Sequence, residues 1–387
     1  MHSLLPCAAG TGEPPPEVAR VLARALEGRE LTREEGLLLA EGGPETLGPL
    51  TVVADEVRRN RVGHGVTYVV NRNINFTNVC TVGCAFCAFH TAPGAPDAFR
   101  LTLDEIADRA VEARCLGATE VCVQGGIAPE MDGDAYRAIL RAIKAAVPEL
   151  HLHAFSPMEI LHGARTSKMP VPEYLTALRD DGLGSLPGTA AEILDADVRT
   201  QLSAKKNTVE QWVEVITAAH RLGIPTTATM MYGHVEQPSH WVNQLCLIRG
   251  IQKATGGFTE FVPLGFIHPN TPAFRTGQAR GGATVAEHLR VHALARLMLQ
   301  GQIDHIQVSW VKLGKALAQQ CLQAGADDYG GTLMEENISR SAGCTEGEYL
   351  TPEEIRARIR ELGRTPVQRS TTYEMLNVYA DECSSDR

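Results

Sequence analysis

Residues 75–89 read NFTNVCTVGCAFCAF and place Cys80, Cys84 and Cys87 at the spacing Cys-x3-Cys-x2-Cys. A [4Fe–4S] cluster is normally held by four cysteine thiolates, so three ligands leave one iron open to chelate a small molecule. A zinc site is the alternative, but it would need a fourth Cys or His at a comparable distance, for which His90 is the only local candidate. The spacing therefore predicts a [4Fe–4S] cluster with an exchangeable position on its fourth iron.

The composition of the 387 residues is ordinary for a globular enzyme, and the formal net charge is −10 at pH 7. This charge argues against nucleic acid as a partner, because phosphate contacts need a basic face. No apolar run approaches the roughly 20 residues of a membrane-spanning helix, and the start of the chain lacks the pattern of a signal peptide. Ten cysteines without regular pairing fit a reducing compartment. We expect a cytoplasmic protein with no membrane partner.

The hydrophobic pattern divides the chain into three regions. Residues 1–64 are predicted to form a Pro/Gly-rich disordered segment (1–15) and a cap of three short helices. In residues 65–340, strands alternate with helices from a first strand at 67–75, which predicts a parallel sheet of the α/β class. About eight such units match a (β/α)8 barrel of the TIM type, with a partial barrel of six units as the alternative. Residues 341–387 are predicted to be a helix and a polar tail.

A glycine pair follows the second predicted strand. That strand ends at Gln124 and is followed by Gly125 and Gly126. Two glycines at this position would let a ligand lie against bare backbone, although an ordinary turn between strand and helix would also contain them. The C-terminal ends of barrel strands carry the active site, so we expect this turn to contact the cofactor.

Carboxylates follow the next two strands. Ser156 and Glu159 come after the third predicted strand, and Glu192 comes after the fourth. Each carboxylate could accept hydrogen bonds from ribose hydroxyl groups. The alternative is that Glu159 only caps a helix, where the helix dipole favours a negative charge.

The later strands supply candidates for the substrate. Tyr232 ends the fifth strand and His234 follows it, and both are our candidate catalytic residues, although a structural role for the histidine is an equal alternative. Further polar or small residues are expected at the same barrel rim: Glu260, His268, Gln307, Ser309, Trp310, Asp328, Gly331, Thr332 and Glu335.

Together these motifs resemble the FO synthase subunit 2 (CofH) family of radical S-adenosylmethionine (radical SAM) enzymes, over about residues 47–375. The similar blocks are NRNINFTNVCTVGCAFCAF, VQGGIAPEMDGDAY, HLHAFSPMEI, GLGSLPGTAAEIL, TATMMYGHVE, GGFTEFVPLGFIHP, QVSWVKLG and GGTLMEENISR. His90 departs from the family pattern, which often has a small residue there, so its role stays open.

The resemblance implies a transferase of coenzyme F420 biosynthesis. Its cofactors would be the [4Fe–4S] cluster and S-adenosyl-L-methionine, which yield a 5′-deoxyadenosyl radical. That radical would act on L-tyrosine, break its Cα–Cβ bond and join the 4-hydroxybenzyl group to 5-amino-6-(D-ribitylamino)uracil. Methionine, 5′-deoxyadenosine and 2-iminoacetate would be released. FO synthase subunit 1 would be the functional partner, and a low-potential electron donor would reduce the cluster.

Two other functions compete with this one. A menaquinone-pathway radical SAM enzyme acting on a futalosine-type substrate would share the cysteine loop but differ in the later blocks. A cluster protein that only transfers electrons would need no open iron. Three ligands rather than four, followed by Gly125 and Gly126 on the next strand, argue against electron transfer alone.

Overall fold

The described part of the molecule, a computed structural model, covers residues 13–380. Most of the segment predicted to be disordered (1–12 of 1–15) therefore lies outside the described residues. The helices are α1 (Pro16–Leu26), α2 (Arg33–Ala40), α3 (Pro44–Val62), α4 (Leu103–Cys115), α5 (Gly133–Ala146), α6 (Pro157–Thr166), α7 (Val171–Asp180), α8 (Ala196–Ser203), α9 (Val209–Arg221), α10 (Pro238–Thr255), α11 (Pro272–Arg275), α12 (Val285–Leu299), α13 (Trp310–Leu313), α14 (Lys315–Leu322), α15 (Asn337–Ser341) and α16 (Pro352–Glu361).

The three predicted helices of the N-terminal cap are confirmed as α1, α2 and α3. The spacing of Thr32 and Glu35 predicts a capping box at the start of α2, and it is present: the Thr32 hydroxyl accepts from the Glu35 amide and Glu35 accepts from the Thr32 amide. The cap packs against α10 and α12, where buried Arg249 and Arg290 donate to the carbonyl oxygens of Leu31 (2.9 Å) and Leu39 (2.6 Å). Among the described residues, none of the helices has the length and apolar character needed to cross a bilayer.

The strands follow the predicted alternation with helices, and the α/β class is confirmed. They are β1 (Gly65–Val69), β2 (Asn71–Asn75), β3 (Glu120–Gln124), β4 (His151–Ala154), β5 (Thr226–Tyr232), β6 (Phe258–Gly265), β7 (Asp328–Gly331), β8 (Thr365–Arg369) and β9 (Met375–Val378). Three sheets form in the orders β7-β1-β8-β9, β2-β3-β4 and β5-β6. All pairs are parallel except β8–β9. The single strand predicted at 67–75 is two strands, which lets this stretch pair with β7 and then with β3.

Isolated parallel bridges connect the sheets where two further strands were predicted. Ser185 bridges to β4 and Leu186 to β5, at the predicted fourth strand. Ile306 bridges to β6 and Gln307 to β7, at the predicted seventh strand. The pattern HIQVSWV predicts that the seventh strand runs over residues 305–311. Its predicted end is wrong, because α13 begins at Trp310, whose indole is buried and donates to the carbonyl oxygen of Gly331 at 2.9 Å.

The C-terminal region differs most from its prediction. Helix α16 is confirmed, but the expected polar tail continues as β8, parallel to β1, and β9, antiparallel to β8. Arg369 at the end of β8 is buried and pairs with Asp328 (2.5 Å) and Glu260 (3.3 Å). Glu260 was expected at the rim, but it lies near the start of β6. In sequence this C-terminal segment resembles a surface tail, because the carboxylates that neutralise the buried charge of Arg369 are distant along the chain.

Candidate active site

A cavity of about 410 Å³ lies at the C-terminal ends of the strands. Its wall combines the cysteine loop with residues at or just beyond the ends of β2, β3, β4, β5 and β6. This is the edge of the sheet at which a barrel of parallel strands carries its active site.

The three cysteines of the motif all line this cavity as free thiols. The loop is anchored by its backbone: the Cys80 amide donates to Thr91 O (3.0 Å) and the Ala85 amide to Leu202 O (2.8 Å). Within residues 13–380, no three His, Cys, Asp or Glu side chains converge where a single metal ion could bind. A cluster does not need such convergence, because each thiolate binds a different iron. The donor set therefore fits a [4Fe–4S] cluster better than zinc.

The thiols differ in how readily they ionise. Burial raises the pKa of Cys84 to about 12. Burial also disfavours the Cys87 thiolate, but hydrogen bonds from His90 and the backbone outweigh it and lower the Cys87 pKa. His90 Nδ1 also lies 2.8 Å from the carbonyl oxygen of Cys87. His90 is thus a neighbour of the third cysteine within the loop.

The glycine turn after β3 packs directly on the cysteine loop. A Cβ atom at Gly126 would overlap the carbonyl oxygen of Val79 and lie 2.9 Å from the Cβ of Cys80. A Cβ atom at Gly125 would lie 2.5 Å from the Phe76 ring. We expected these glycines to make room for a ligand, and both do line the cavity. Their lack of side chains, however, makes room for the chain's own loop.

We expect Gly126→Ala to displace the cysteine loop, because the atom it meets is a backbone carbonyl that no rotamer change can move. Overpacking of this kind costs about 1–3 kcal/mol. Iron bound after anaerobic reconstitution should fall at least tenfold for a comparable amount of folded protein. The matched control is Gly250→Ala in α10, where a Cβ atom meets nothing within 4 Å. Equal iron content in the two variants would contradict the expectation.

Ser156 and Glu159 form a capping box at the start of α6. Glu159 Oε2 accepts from the Ser156 amide (2.6 Å) and hydroxyl (2.7 Å), and Oε1 accepts from the Gly125 amide (3.0 Å). Burial raises the pKa of Glu159 to about 7, against the opposing effect of these donors. The helix-capping alternative therefore describes the contacts of Glu159, which also ties α6 to the glycine turn. Both residues line the cavity.

Glu192 lines the cavity beside a lysine that the sequence reading missed. Its backbone is left-handed (φ 43°), and its carboxylate contacts Lys206 Nζ (2.8 Å) and Arg199 (3.5 Å). Lys206 Nζ also lies 5.0 Å from the centre of the Phe86 ring, within the cysteine loop. Burial disfavours the Lys206 charge, but Glu192 outweighs this and raises the Lys206 pKa. The Lys-Lys pair at 205–206 gave no signal that one ammonium group would turn inward.

Two polar side chains complete this end of the cavity. Gln124 donates through Nε2 to Thr189 Oγ1 at 2.6 Å, so the end of β3 is linked to the turn before Glu192. Asn75, at the end of β2, lines the cavity, and its buried Oδ1 has no hydrogen-bond partner among the described residues. A buried acceptor without a partner is costly, which favours a ligand donor at this position.

Tyr232 and His234 do not line this cavity, so the structure does not support them as catalytic residues. Successive residues of a strand point to opposite faces. Met231 of β5 faces the cavity, whereas Tyr232 faces the helices and contacts His288 Nδ1 through its hydroxyl (2.6 Å). His234 is buried in the following loop, where Nε2 lies 2.9 Å from Met231 O and Nδ1 accepts from the Val235 amide (2.7 Å).

Of the remaining residues predicted at the barrel rim, some line the cavity and others do not. Gln307 and Ser309 line the cavity as expected. Glu335 instead pairs with Arg72 at 2.9 Å, and its neighbour Glu336 faces the cavity. Residues of the cavity wall that were not predicted from the sequence include Asn73, Asn75, Cys122, Lys206, Lys312, Glu336 and Ser339.

The fold and the three-cysteine loop define a radical SAM enzyme. A model of the radical SAM superfamily matches residues 74–243, and one described as the CofH/MqnC C-terminal region matches residues 255–381. Methylornithine synthase has a similar fold (TM-score 0.70, 18% identity, 89% of this chain and 97% of that one). So does the FeFe-hydrogenase maturase HydG from Carboxydothermus hydrogenoformans (TM-score 0.70, 16% identity, 92% and 80%).

Curated relatives specify the family. The chain is 50% identical to 5-amino-6-(D-ribitylamino)uracil--L-tyrosine 4-hydroxyphenyl transferase of Methanocaldococcus jannaschii, over 90% of this chain and 98% of that protein. For the Methanopyrus kandleri protein of the same name the identity is 54%, over 84% and 88%. FO synthase of Mycobacterium leprae is 49% identical over 97% of this chain, which spans only 43% of that longer protein. The chain belongs to this 4-hydroxyphenyl transferase family, which confirms the resemblance, and these relatives do not favour the futalosine alternative.

Proposed function

We propose that this chain transfers the 4-hydroxybenzyl group of L-tyrosine to 5-amino-6-(D-ribitylamino)uracil, a step in the biosynthesis of the deazaflavin FO and coenzyme F420. The supporting observation is the 50% identity to the Methanocaldococcus jannaschii transferase over 98% of that protein. The match over nearly the full length matters because it includes the later sequence blocks, from which we expect the substrate contacts. A subunit 1-type enzyme would complete the deazaflavin ring, and a low-potential donor would supply electrons.

We further propose that Cys80, Cys84 and Cys87 hold the [4Fe–4S] cluster. When bound, the cluster and S-adenosylmethionine supply a 5′-deoxyadenosyl radical. The residues expected to surround S-adenosylmethionine are those that line the cavity beside the cysteine loop: Gln124, Gly125, Gly126, Ser156, Glu159 and Glu192. The unpartnered Asn75 Oδ1 at the same end is a ready acceptor for a ligand N–H or O–H group.

The chain itself would position the reacting groups and exclude water. Apolar side chains contribute to the wall between the cysteine loop and the strand ends: Phe86, Phe89, Met158, Met231, Phe266 and Ile267. The Lys206–Glu192 pair keeps an ammonium group next to the loop without leaving it unpaired. Such a wall holds substrates in fixed geometry and protects a reactive intermediate from solvent.

Two structural proposals accompany this function. The isolated bridges link each β unit to the next, from β4 through Ser185–Leu186 to β5 and from β6 through Ile306–Gln307 to β7. We propose that they close the sheets into the (β/α)8 barrel expected from the sequence. We keep the division into a cap (1–64), a barrel (65–340) and a C-terminal region (341–387), the last now including β8 and β9.

Product analysis tests the function. Reduced, cluster-reconstituted protein is incubated with S-adenosylmethionine, ring-labelled L-tyrosine and the diaminouracil. Mass spectrometry should find the label in a benzylated pyrimidine, and omission of the diaminouracil should remove that product. If tyrosine stays intact while a futalosine-type substrate is consumed, the proposal is wrong.

A further inference from the structure

One cation on the cavity wall has no carboxylate partner. Lys312 belongs to α13, is half-buried and lines the cavity. Its Nζ donates to the hydroxyl of Ser339 at 2.9 Å. In residues 13–380, no Asp or Glu oxygen lies within the 4.0 Å of an ion pair with Lys312. A partly buried lysine without a carboxylate partner is uncommon, because burial of an unpaired charge costs free energy.

The carboxylates of this cavity are already engaged elsewhere. Glu192 pairs with Lys206, and Glu159 accepts three hydrogen bonds within its capping box and from Gly125. Glu336 accepts from Asn73 Nδ2 (2.5 Å) and from the Ser339 amide (2.8 Å). The charge of Lys312 is therefore available to a ligand.

The ammonium group of Lys312 has hydrogen-bond donors that the described residues do not use. An ammonium group has three N–H bonds, and only one is used by Ser339. Ser339 is fully buried, so its hydroxyl group holds the ammonium group in place and does not itself reach a ligand. Glu336 is joined to this pair through the Ser339 amide, so one wall presents both a positive and a negative group. Both carboxylate oxygens of Glu336 already accept hydrogen bonds, so the unused charged group of this wall is the Lys312 ammonium.

We infer that Lys312, held in place by Ser339, binds the α-carboxylate of the amino-acid substrate. The inference rests on the proposed function, in which tyrosine carries a carboxylate and the ribityl pyrimidine carries none. S-adenosylmethionine has a carboxylate too, but the ammonium group beside the cysteine loop is that of Lys206, 5.0 Å from the Phe86 ring. Lys312 instead belongs to the wall built by α13 and α15.

Equilibrium dialysis with labelled ligands tests the inference. The protein is cluster-reconstituted, saturated with S-adenosylmethionine and left unreduced, so that no turnover occurs. The wild-type protein should bind L-tyrosine about ten- to a hundredfold more tightly than tyramine, which lacks only the carboxylate, as expected for a charge-assisted hydrogen bond. Lys312→Met should remove that preference by weakening tyrosine binding and not tyramine binding, and Lys312→Arg should keep part of it. The matched control is Lys315→Met in α14, outside the cavity wall.

The possible results distinguish failure of the inference about Lys312 from failure of the proposed function. If Lys312→Met retains the wild-type preference for tyrosine while the wild-type protein makes the benzylated pyrimidine, the inference alone is wrong. If the wild-type protein binds tyrosine and tyramine equally, the inference is wrong without reference to any variant. If the wild-type protein neither binds nor converts tyrosine, both the function and the inference fail.

Discussion

Replacing Cys84 with alanine should abolish cluster binding and, with it, formation of 5′-deoxyadenosine from S-adenosylmethionine. Cys84 is only 8% exposed and lines the cavity with the other two cysteines of the loop. Loss of a partner that merely supports a metal ligand typically costs about 10–100-fold, so loss of a direct ligand should cost more. Iron content, the visible absorption of the cluster and 5′-deoxyadenosine yield are measured after anaerobic reconstitution.

The matched control is Cys115→Ala, because Cys115 is exposed at the end of α4 and does not line the cavity. It should keep the iron content and the 5′-deoxyadenosine yield of the parent protein. Formation of 5′-deoxyadenosine at the parental rate by the Cys84→Ala protein would show that this thiol is not a cluster ligand.

Arg369→Met should be the most destabilising single substitution proposed for this chain. The guanidinium group is 2% exposed, pairs with Asp328 and Glu260, and lies 4.0 Å over the Tyr373 ring. Methionine would leave two buried carboxylates without their cation. Removing one partner of a buried ion pair typically costs about 3–5 kcal/mol. The free energy of unfolding is measured by urea denaturation of the two proteins.

A surface arginine provides the comparison for Arg369. Arg59 is 46% exposed and pairs with Asp55 and Glu56 on α3. Arg59→Met should change the free energy of unfolding by less than about 1 kcal/mol, because water already screens exposed pairs. If Arg369→Met lowered the free energy of unfolding as little as Arg59→Met, the stability of the C-terminal strands would not depend on the buried ion pairs of Arg369.

Features set by neighbours in sequence could be predicted without the structure. The cysteine spacing is local, so it indicated the cluster loop directly. The helices that begin after Thr32 and Thr102 could be located in this way, because a capping box is made by residues three positions apart. The α/β alternation followed from hydrophobic period alone. For Glu159 the sequence left two roles open, ribose binding and helix capping. Its observed contacts are those of a helix cap, made by a residue three positions away.

The direction of individual side chains near the site was less predictable. Tyr232 was selected because it ends a strand, but the alternation of the strand turns Met231 toward the cavity and Tyr232 toward the helices. Alternation groups Thr229 with Met231 and Met230 with Tyr232, but only the structure shows that the first pair faces the cavity. Lys206 and Lys312 gave no comparable signal, since both lie outside the strands and nothing nearby in sequence shows which way a lysine turns.

The sequence by itself therefore determined the class, the cluster loop and the order of elements, each of which depends on short-range spacing. Only the tertiary structure decided which charges meet. Arg369 contacts Asp328 and Glu260 across 41 and 109 residues, and it stands at the end of β8, in a segment that the sequence suggested was a polar tail. The tertiary structure also explains why residue 126 is a glycine. A side chain there would overlap the carbonyl oxygen of Val79, which lies in another loop. Burial and ion pairing depend on distance in space, and no local pattern encodes the partner.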